Sequence, residues 1–412
     1  MHRLTARPVI KTDRPFGSPE HHYLTALMTT TPTASHTTSD QPVRRASTEP
    51  VVAAGSVPGY GPIFNAGLLH HDGHFHLFAR AVRDTYRLND GLGPRFLDYV
   101  SDIAVFKSRD GLTYEFAYIL ARAGDHGVDC FEDPRVQIIR DVSGEHVVMT
   151  YTNLPSDPDE PWRVGAHLLT HDGERFHLDP ASGRLLSPEG VKDKDAVLFN
   201  LVDGRVALLH HIHPDMQLAV FDDLDHLWNV DAHYWDAHLA ALEQHTIVRC
   251  LPGVLGIGAG APPVQCEDGL LLFFHERRSD GVYTMNLALL DSGTGRPIGV
   301  HGDALMVPEL EWEIFGDVDN VIFVQGAHVA DDGDTITLVY GAADRHVGAA
   351  RASIRHLLEI LRIGLAADGE AASRSAVVCS SDDGNVHQRW ASRSGRSRLE
   401  RRLASSLEGT DR

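Results

Sequence analysis

The sequence predicts an all-β protein, a five-bladed β-propeller with a short helical insertion and disordered termini. The first observation behind this is a repeat. A turn glycine followed by an apolar run recurs at Gly73, Gly144, Gly204, Gly269 and Gly333, at intervals of about 60 to 70 residues. Turn glycine before β-branched, aromatic and aliphatic residues is a hairpin signal, and regular repetition of hairpins signals propeller blades. A β-sandwich with five hairpins is the alternative reading. The second observation is composition: 42% hydrophobic and 23% charged residues over 412 residues is a globular balance with enough chain for a large core. The third is that both ends lack the repeat.

In chain order, residues 1–50 are rich in Thr, Ser, Pro and His, as in Met28-Thr29-Thr30-Thr31-Pro32-Thr33. Such a stretch buries too little apolar surface to offset its ordering entropy, so a disordered tail is expected. The propeller is assigned to 51–364. Apolar residues at helical spacing predict a helix over 233–245, read as an insertion between blades, and a second over 353–362 with Ser353 as N-cap. Residues 365–412 end in the basic run around Arg393–Arg402 and are read as a second tail. Both tails are expected to be dispensable, so that about 50–364 should suffice for folding.

The formal net charge of −20 argues against a nucleic-acid partner, which needs a basic face, but not against a local basic pocket for a small anion. The four cysteines at 130, 250, 266 and 379 form no CxxC pair and have no histidine at zinc-finger spacing. They are read as reduced thiols, the histidines as surface or core residues, and no metal or cofactor is expected. No apolar run is long enough to span a membrane and no secretory leader is visible, so a cytoplasmic location is expected. A homo-oligomer is left open.

A propeller gathers its chemistry where inner strands converge on the channel, so charged residues set into apolar runs are the candidates. Glu132-Asp133-Pro134-Arg135 places two carboxylates and a guanidinium beside the strand Val136–Ile139. A carboxyl group beside a like charge can keep its proton near neutral pH and act as a general acid; a turn carrying an ion pair is the plain alternative. Lys192-Asp193-Lys194-Asp195 runs straight into the strand Ala196–Phe199, and Lys194 suits an anion or a sugar hydroxyl, unless the run is a solvated loop. The glycines at 256, 258 and 260 lack the Gly-Lys-Ser/Thr ending of a phosphate loop and are read as close backbone packing. Asp344 ends the fifth repeat's strand, where a carboxylate can grip a hydroxyl.

Taken in order, these pieces resemble glycoside hydrolase family 130, the β-mannoside phosphorylases and β-mannosidases. The likeness covers about 61–360. It includes Phe64-Asn65, Leu77–Ala81, Ser101-Asp102, Glu132–Arg135, Lys194–Phe199, Ile257–Pro263, Trp312–Gly316 and Tyr340–Asp344. The resemblance implies a five-bladed propeller and an enzyme that cleaves β-mannosidic bonds with inversion. It makes Asp133 the general acid, acting through a sugar hydroxyl. By the same resemblance Asn65, Arg80, Ser101, Asp102, Glu132, Arg135, Asp195, His275 and Asp344 bind the sugar, and Lys194 and His211 bind phosphate if phosphate attacks. The chain departs from the phosphorylase pattern at His211, Gly256 and Glu276, losing two fixed positive charges and gaining a negative one. His211, Arg277 or Arg278 could compensate. On this ground the sequence reading leans to a β-mannosidase with Glu276 activating water. A phosphorylase using inorganic phosphate as co-substrate is the alternative, and a non-catalytic sugar-binding propeller the second.

Overall fold

The computed structural model describes residues 41–89, 95–157 and 159–364. The five turn glycines each join the innermost strand of a sheet to the next strand outward, as the repeat predicts. The first blade runs through Tyr60–His71, His74–Arg83, Ser101–Ser108 and Glu115–Ala121. The second comprises Phe131–Asp141, Gly144–Asn153, Arg163–His171 and Phe176–Leu178, with Arg184–Leu185 also pairing its third strand. The third comprises Lys194–Asn200, Val206–His211, Met216–Phe221 and Thr246–Val248. In the fourth the inner edge is split into Val254–Ala259 and Val264–Cys266, both pairing Gly269–Arg278, followed by Tyr283–Leu290 and Pro297–Val300. Every pairing within these sheets is antiparallel.

The fifth blade closes the ring with both ends of the described chain. Ile322–Val329, Thr335–Ala342 and His346–Ser353 are joined at the outer edge by Val43–Arg45, with Val43 opposite Ala352. This corrects the expected boundary at 50. Three residues are too few to show a strand period, yet Ala46 N–H donates to Ala349 O at 2.8 Å and Trp312 Nε1 donates to Thr48 O at 2.9 Å. Residues 1–40 and 365–412, the rest of the expected tails, lie outside the described residues.

The predicted helix over 233–245 is two helices, Ala232–Ala240 and Leu242–His245, preceded by Leu224–Trp228. All three fall inside the third blade, before its outer strand, rather than between blades. Asp231 caps the longest by accepting from Tyr234 N–H at 3.0 Å. The second predicted helix spans 354–364, and Ser353 Oγ accepts His356 N–H at 3.3 Å, the N-cap contact expected. Ile354, Leu357, Leu358 and Leu361 are buried against the fourth and fifth blades. Between blades the facing sheets pack aliphatic cores, such as Val197, Leu209, Leu272 and Phe274 between the third and fourth. Among the described residues no helix is long and apolar enough to cross a membrane.

Ring closure by a three-residue strand needs a side-chain anchor. Arg45 supplies it, donating to Glu313 Oε2 and Glu309 Oε2 and to the Val307 carbonyl, each at 2.7 Å. Glu313 is fully buried and also accepts from Tyr340 OH at 2.8 Å. Arg45→Ala leaves that carboxylate without its cation and should lower unfolding free energy by about 3 kcal/mol, read by urea denaturation. Deleting 42–49 should cost more. Wild-type stability in both variants would show that the ring closes without this strand.

Candidate active site

Three consecutive inner strands carry the same local device. At Asn65, Asp133 and Asp195 the backbone turns left-handed, with φ of 46°, 51° and 53°. At each the inner strand slips register against its neighbour, between Phe64 and Ala66, Glu132 and Arg135, and Lys194 and Val197. These are β-bulges, and Asn and Asp are the non-glycine residues that best tolerate the left-handed region. Each bulge frees a polar side chain from the alternation of its strand at the centre of the ring.

Asp133 and Asn65 meet there. Asp133 Oδ1 accepts from Asn65 Nδ2 at 2.8 Å and from Arg80 Nη1 at 3.0 Å. Arg80 also ion-pairs with Glu132 through Nη2, donates from Nε to Tyr99 OH at 2.6 Å, and lies over the Phe64 ring at 4.7 Å. Burial raises the Glu132 carboxyl, Arg80 draws it down, and Asp133 beside it pushes it up again, leaving it above the usual carboxylate range. Burial raises the Asp344 carboxyl to about 7, with Arg80 opposing and Asp133 and Glu132 adding to the rise. These groups line a cavity of about 520 Å³ walled by aromatic side chains, among them Phe96, Tyr99, Trp162 and Tyr283.

A second cavity of about 410 Å³ shares Lys194 and Tyr283 with the first. It is cationic: Lys192, Lys194, His211, His213 and Arg277 line it, with His275. Burial disfavours the Lys194 charge, but the adjoining Asp195 outweighs this and raises its pKa, so Lys194 stays protonated. Burial lowers His211, and it holds His275 near about 3, so that ring is neutral. Gly258 lets the pocket close. A Cβ there would come within 2.5 Å of Asp195 Oδ2 and 2.6 Å of the His275 ring. The close backbone packing expected of the glycine run is therefore present at this position.

Of the residues named from sequence, Asn65, Arg80, Glu132, Asp133, Lys194 and Asp344 line the first cavity, and Lys194, His211 and His275 the second. Four others stand behind them. Arg135 is fully buried and donates to Asp195 Oδ1 at 3.2 Å and to the Asp133, Ala259 and Gly260 carbonyls. Asp195, also fully buried, is held by Arg135 and Lys194, with His211 Nδ1 at 3.5 Å and His275 Nε2 at 3.6 Å. Asp102 takes the Arg83 guanidinium on both oxygens and accepts from Tyr60 OH at 2.6 Å. Ser101 Oγ donates to Phe131 O at 2.5 Å. These four hold the site's frame rather than face the cavity.

Glu276 lines neither cavity. Along the strand Gly269–Arg278 side chains alternate, so His275 and Arg277 share the face that Glu276 does not. Its carboxylate hydrogen-bonds Asn286, and burial raises its pKa. Arg277 stands directly across from Gly256, the position where the sequence lacks an expected cation. Cross-strand partners share a face, so a guanidinium from the neighbouring strand covers the glycine. The sequence reading missed Tyr99, Trp162 and His213, and named Lys192 only as part of the charged run that enters the third blade. Lys192 lies over the Trp162 ring at 3.6 Å, a pairing across thirty residues of loop and strand that no local pattern announces.

Comparison with known proteins places the chain. The profile of glycoside hydrolase family 130, described as beta-1,4-mannooligosaccharide phosphorylase, matches residues 40–363. A beta-1,2-mannobiose phosphorylase of Thermoanaerobacter sp. (strain X514) is 29% identical over 302 residues, covering 70% of this chain and 89% of that protein. The structure of the Listeria innocua beta-1,2-mannobiose phosphorylase with beta-1,2-mannobiose superposes with a TM-score of 0.59 at 19% identity, over 78% of this chain and 99% of that one. MPT-4, a mannose phosphorylase from Leishmania mexicana in complex with phosphate ion, gives 0.52 at 14% identity, over 74% and 88%. The two structures share the fold.

The raised Asp344 carboxyl has a measurable consequence. Unfolded, it titrates near about 4; folded, near about 7. Between these values the folded state keeps a proton that the unfolded state has lost, so stability falls as pH rises through the window. Asp344→Asn removes this loss. Its Tm relative to wild type should be higher by about 4 °C at about pH 8 than at about pH 5. Parallel pH profiles for the two proteins would show that Asp344 ionises normally.

Proposed function

The chain belongs to glycoside hydrolase family 130, and from that premise we propose that it cleaves β-mannosides by phosphorolysis, releasing mannose 1-phosphate with inversion. The observation that carries this is the cationic cavity. Lys194 and Tyr283 wall both it and the cavity that holds Asp133, so an anion bound there lies beside the bound sugar. A phosphate dianion needs several charge-assisted donors, and Lys192, Lys194 and Arg277 supply them, with His211 and His213 as further donors. Water would instead need a carboxylate base on that side, and Glu276 faces elsewhere. The lean toward hydrolysis drawn from sequence is therefore replaced.

In the proposed reaction a phosphate oxygen bonds to the anomeric carbon as the glycosidic C–O bond breaks. The leaving oxygen takes its proton from Asp133, relayed by a sugar hydroxyl. Asn65 and Arg80 fix the Asp133 carboxyl by two hydrogen bonds on Oδ1, leaving Oδ2 as the oxygen that serves the relay. Asp344 and Glu132 accept from sugar hydroxyls, and the aromatic walls pack the sugar faces. The relatives named for β-1,2 linkages make β-1,2-mannobiose the first substrate to try.

The test is incubation with β-1,2- and β-1,4-mannobiose, with and without inorganic phosphate. Mannose 1-phosphate should form only with phosphate. Free mannose appearing at the same rate without phosphate overturns the proposal. Lys194→Ala should raise the phosphate KM at least about tenfold, in line with loss of a charge-assisted contact. Glu276→Gln should leave turnover within about twofold, because Glu276 lines neither cavity and Gln keeps its shape and can still hydrogen-bond Asn286. Asp133→Asn should lower kcat by about 10²- to 10⁴-fold while mannoside binding persists.

A further inference from the structure

Far from this site, His71, Asp72 and His171 converge from two blades. Asp72 sits at the tip of the first blade's inner hairpin, in a left-handed turn with φ of 48°, followed by Gly73 at 70°. His171 ends the third strand of the second blade. Asp72 Oδ2 lies 3.5 Å from His71 Nε2 and 3.8 Å from His171 Nδ1, and the donor atoms of all three residues fall within 4.8 Å of one another. Those separations exceed a good hydrogen bond, which spans about 2.7–3.2 Å. They lie somewhat above the edge of a coordination tetrahedron, which is about 3.4 Å when metal–ligand bonds are about 2.0–2.1 Å, so small side-chain shifts would draw the three donors onto one cation.

The surroundings hold the donors in place. The His71 and His171 rings pack on buried Phe176 at 5.3 and 4.6 Å, and meet each other edge-on at 4.7 Å. His171 pairs with Phe176 in register, so the ring and its support are fixed together. His74 Nδ1 bonds the Asp72 carbonyl at 2.9 Å and braces the turn. The opposing charge is Lys107, whose ammonium is drawn off to the Glu174 carbonyl.

We propose that His71, Asp72 and His171 form a binding site for a divalent first-row transition cation that clips the first blade to the second. Two imidazoles and one carboxylate are a nitrogen-and-oxygen donor set suited to zinc, cobalt or nickel, with the fourth position open to water. His71, at the end of the inner strand, lies six residues from Asn65, about 20 Å, so the cation stabilises the ring and takes no part in sugar cleavage. No sequence spacing reveals the site, because its ligands are a hundred residues apart on different blades.

Untagged full-length protein, stripped with chelator, is dialysed against zinc, and bound metal is counted by mass spectrometry beside His171→Ala and Asp72→Asn. The full chain carries 26 histidines, so the readout is the difference between proteins. Wild type should retain about one zinc more than either variant, and a hundredfold excess over Kd should raise its Tm by about 4 °C with neither variant responding. Cobalt should give the intense visible bands of a tetrahedral site in wild type alone. Asn is compatible with the left-handed turn at 72, so Asp72→Asn reports on the ligand even if His171→Ala folds poorly. Equal zinc retention and equal Tm shifts in wild type and Asp72→Asn overturn the proposal.

Discussion

The buried guanidinium of Arg135 is the constraint on which the site depends. It leaves the second blade, pairs with Asp195 on the third at 3.2 Å, and donates to Ala259 and Gly260 carbonyls on the fourth at 2.9 and 3.3 Å. A fully desolvated cation is tolerable only if paired and hydrogen-bonded, and loss of one partner from such a pair costs about 3–5 kcal/mol. Arg135 also holds the Asp133 carbonyl at 3.0 Å, which fixes the backbone at that bulge. Burial works against the Asp195 charge, but Lys194, the His211 contact, His275 and Arg135 outweigh it and hold that carboxyl well below its usual range. One ion pair thus sets the Asp133 bulge on one side and the cations of the second cavity on the other.

The bulges explain how an apolar ring can present polar groups at its centre at all. An inner strand that kept strict alternation would offer the channel every second residue and commit the rest to the inter-blade cores. A left-handed residue at each bulge breaks that rule once, locally. Neighbouring backbones must then make room. Gly341 does so beside Asn65, where a Cβ would come within 1.8 Å of Asn65 Oδ1. Gln325, at the equivalent bulge of the fifth blade, donates to the Asn65 and Pro134 carbonyls at 2.8 and 2.7 Å. Backbone groups freed by the bulges of two blades are satisfied by the side chain of another.

Much of this was legible in the sequence, and the remainder has physical reasons for being hidden. The five turn glycines and the strands after them located the blades; charged residues at strand starts pointed to Asp133 and Lys194, and a carboxylate just past a strand end to Asp344, all three of which line a cavity. The repeat held more than was read from it. Asn65 and Gln325 stand eight residues before their turn glycines, Asp195 nine and Asp133 eleven, a near-constant offset that marks the bulge. It does not say whether a side chain meets the ligand or supports one that does, which is why Arg135, Asp195, Asp102 and Ser101 were placed in contact with sugar. Glu276 was misjudged by one residue of strand alternation. The outer strand at Val43–Arg45 carries no period, because its pairing partner lies some three hundred residues away.

The acidic balance of the whole chain and the cationic second cavity do not conflict. Charges farther apart than the Debye length, about 8 Å at physiological salt, are largely screened when exposed to solvent. Carboxylates in turns and loops, such as Asp110, Asp172 and Asp332, are bonded to their own loops. Within the cavity the dielectric is lower and the distances shorter, and a unit charge pair at about 4 Å is worth about 4 kcal/mol at an effective dielectric of about 20. Lys194 is held protonated there by Asp195, which is itself fully buried and committed to Arg135, so its negative charge is shared before an incoming anion meets it. The ring can therefore be acidic outside and present a cationic pocket inside, because burial and not net charge decides which groups an anion feels.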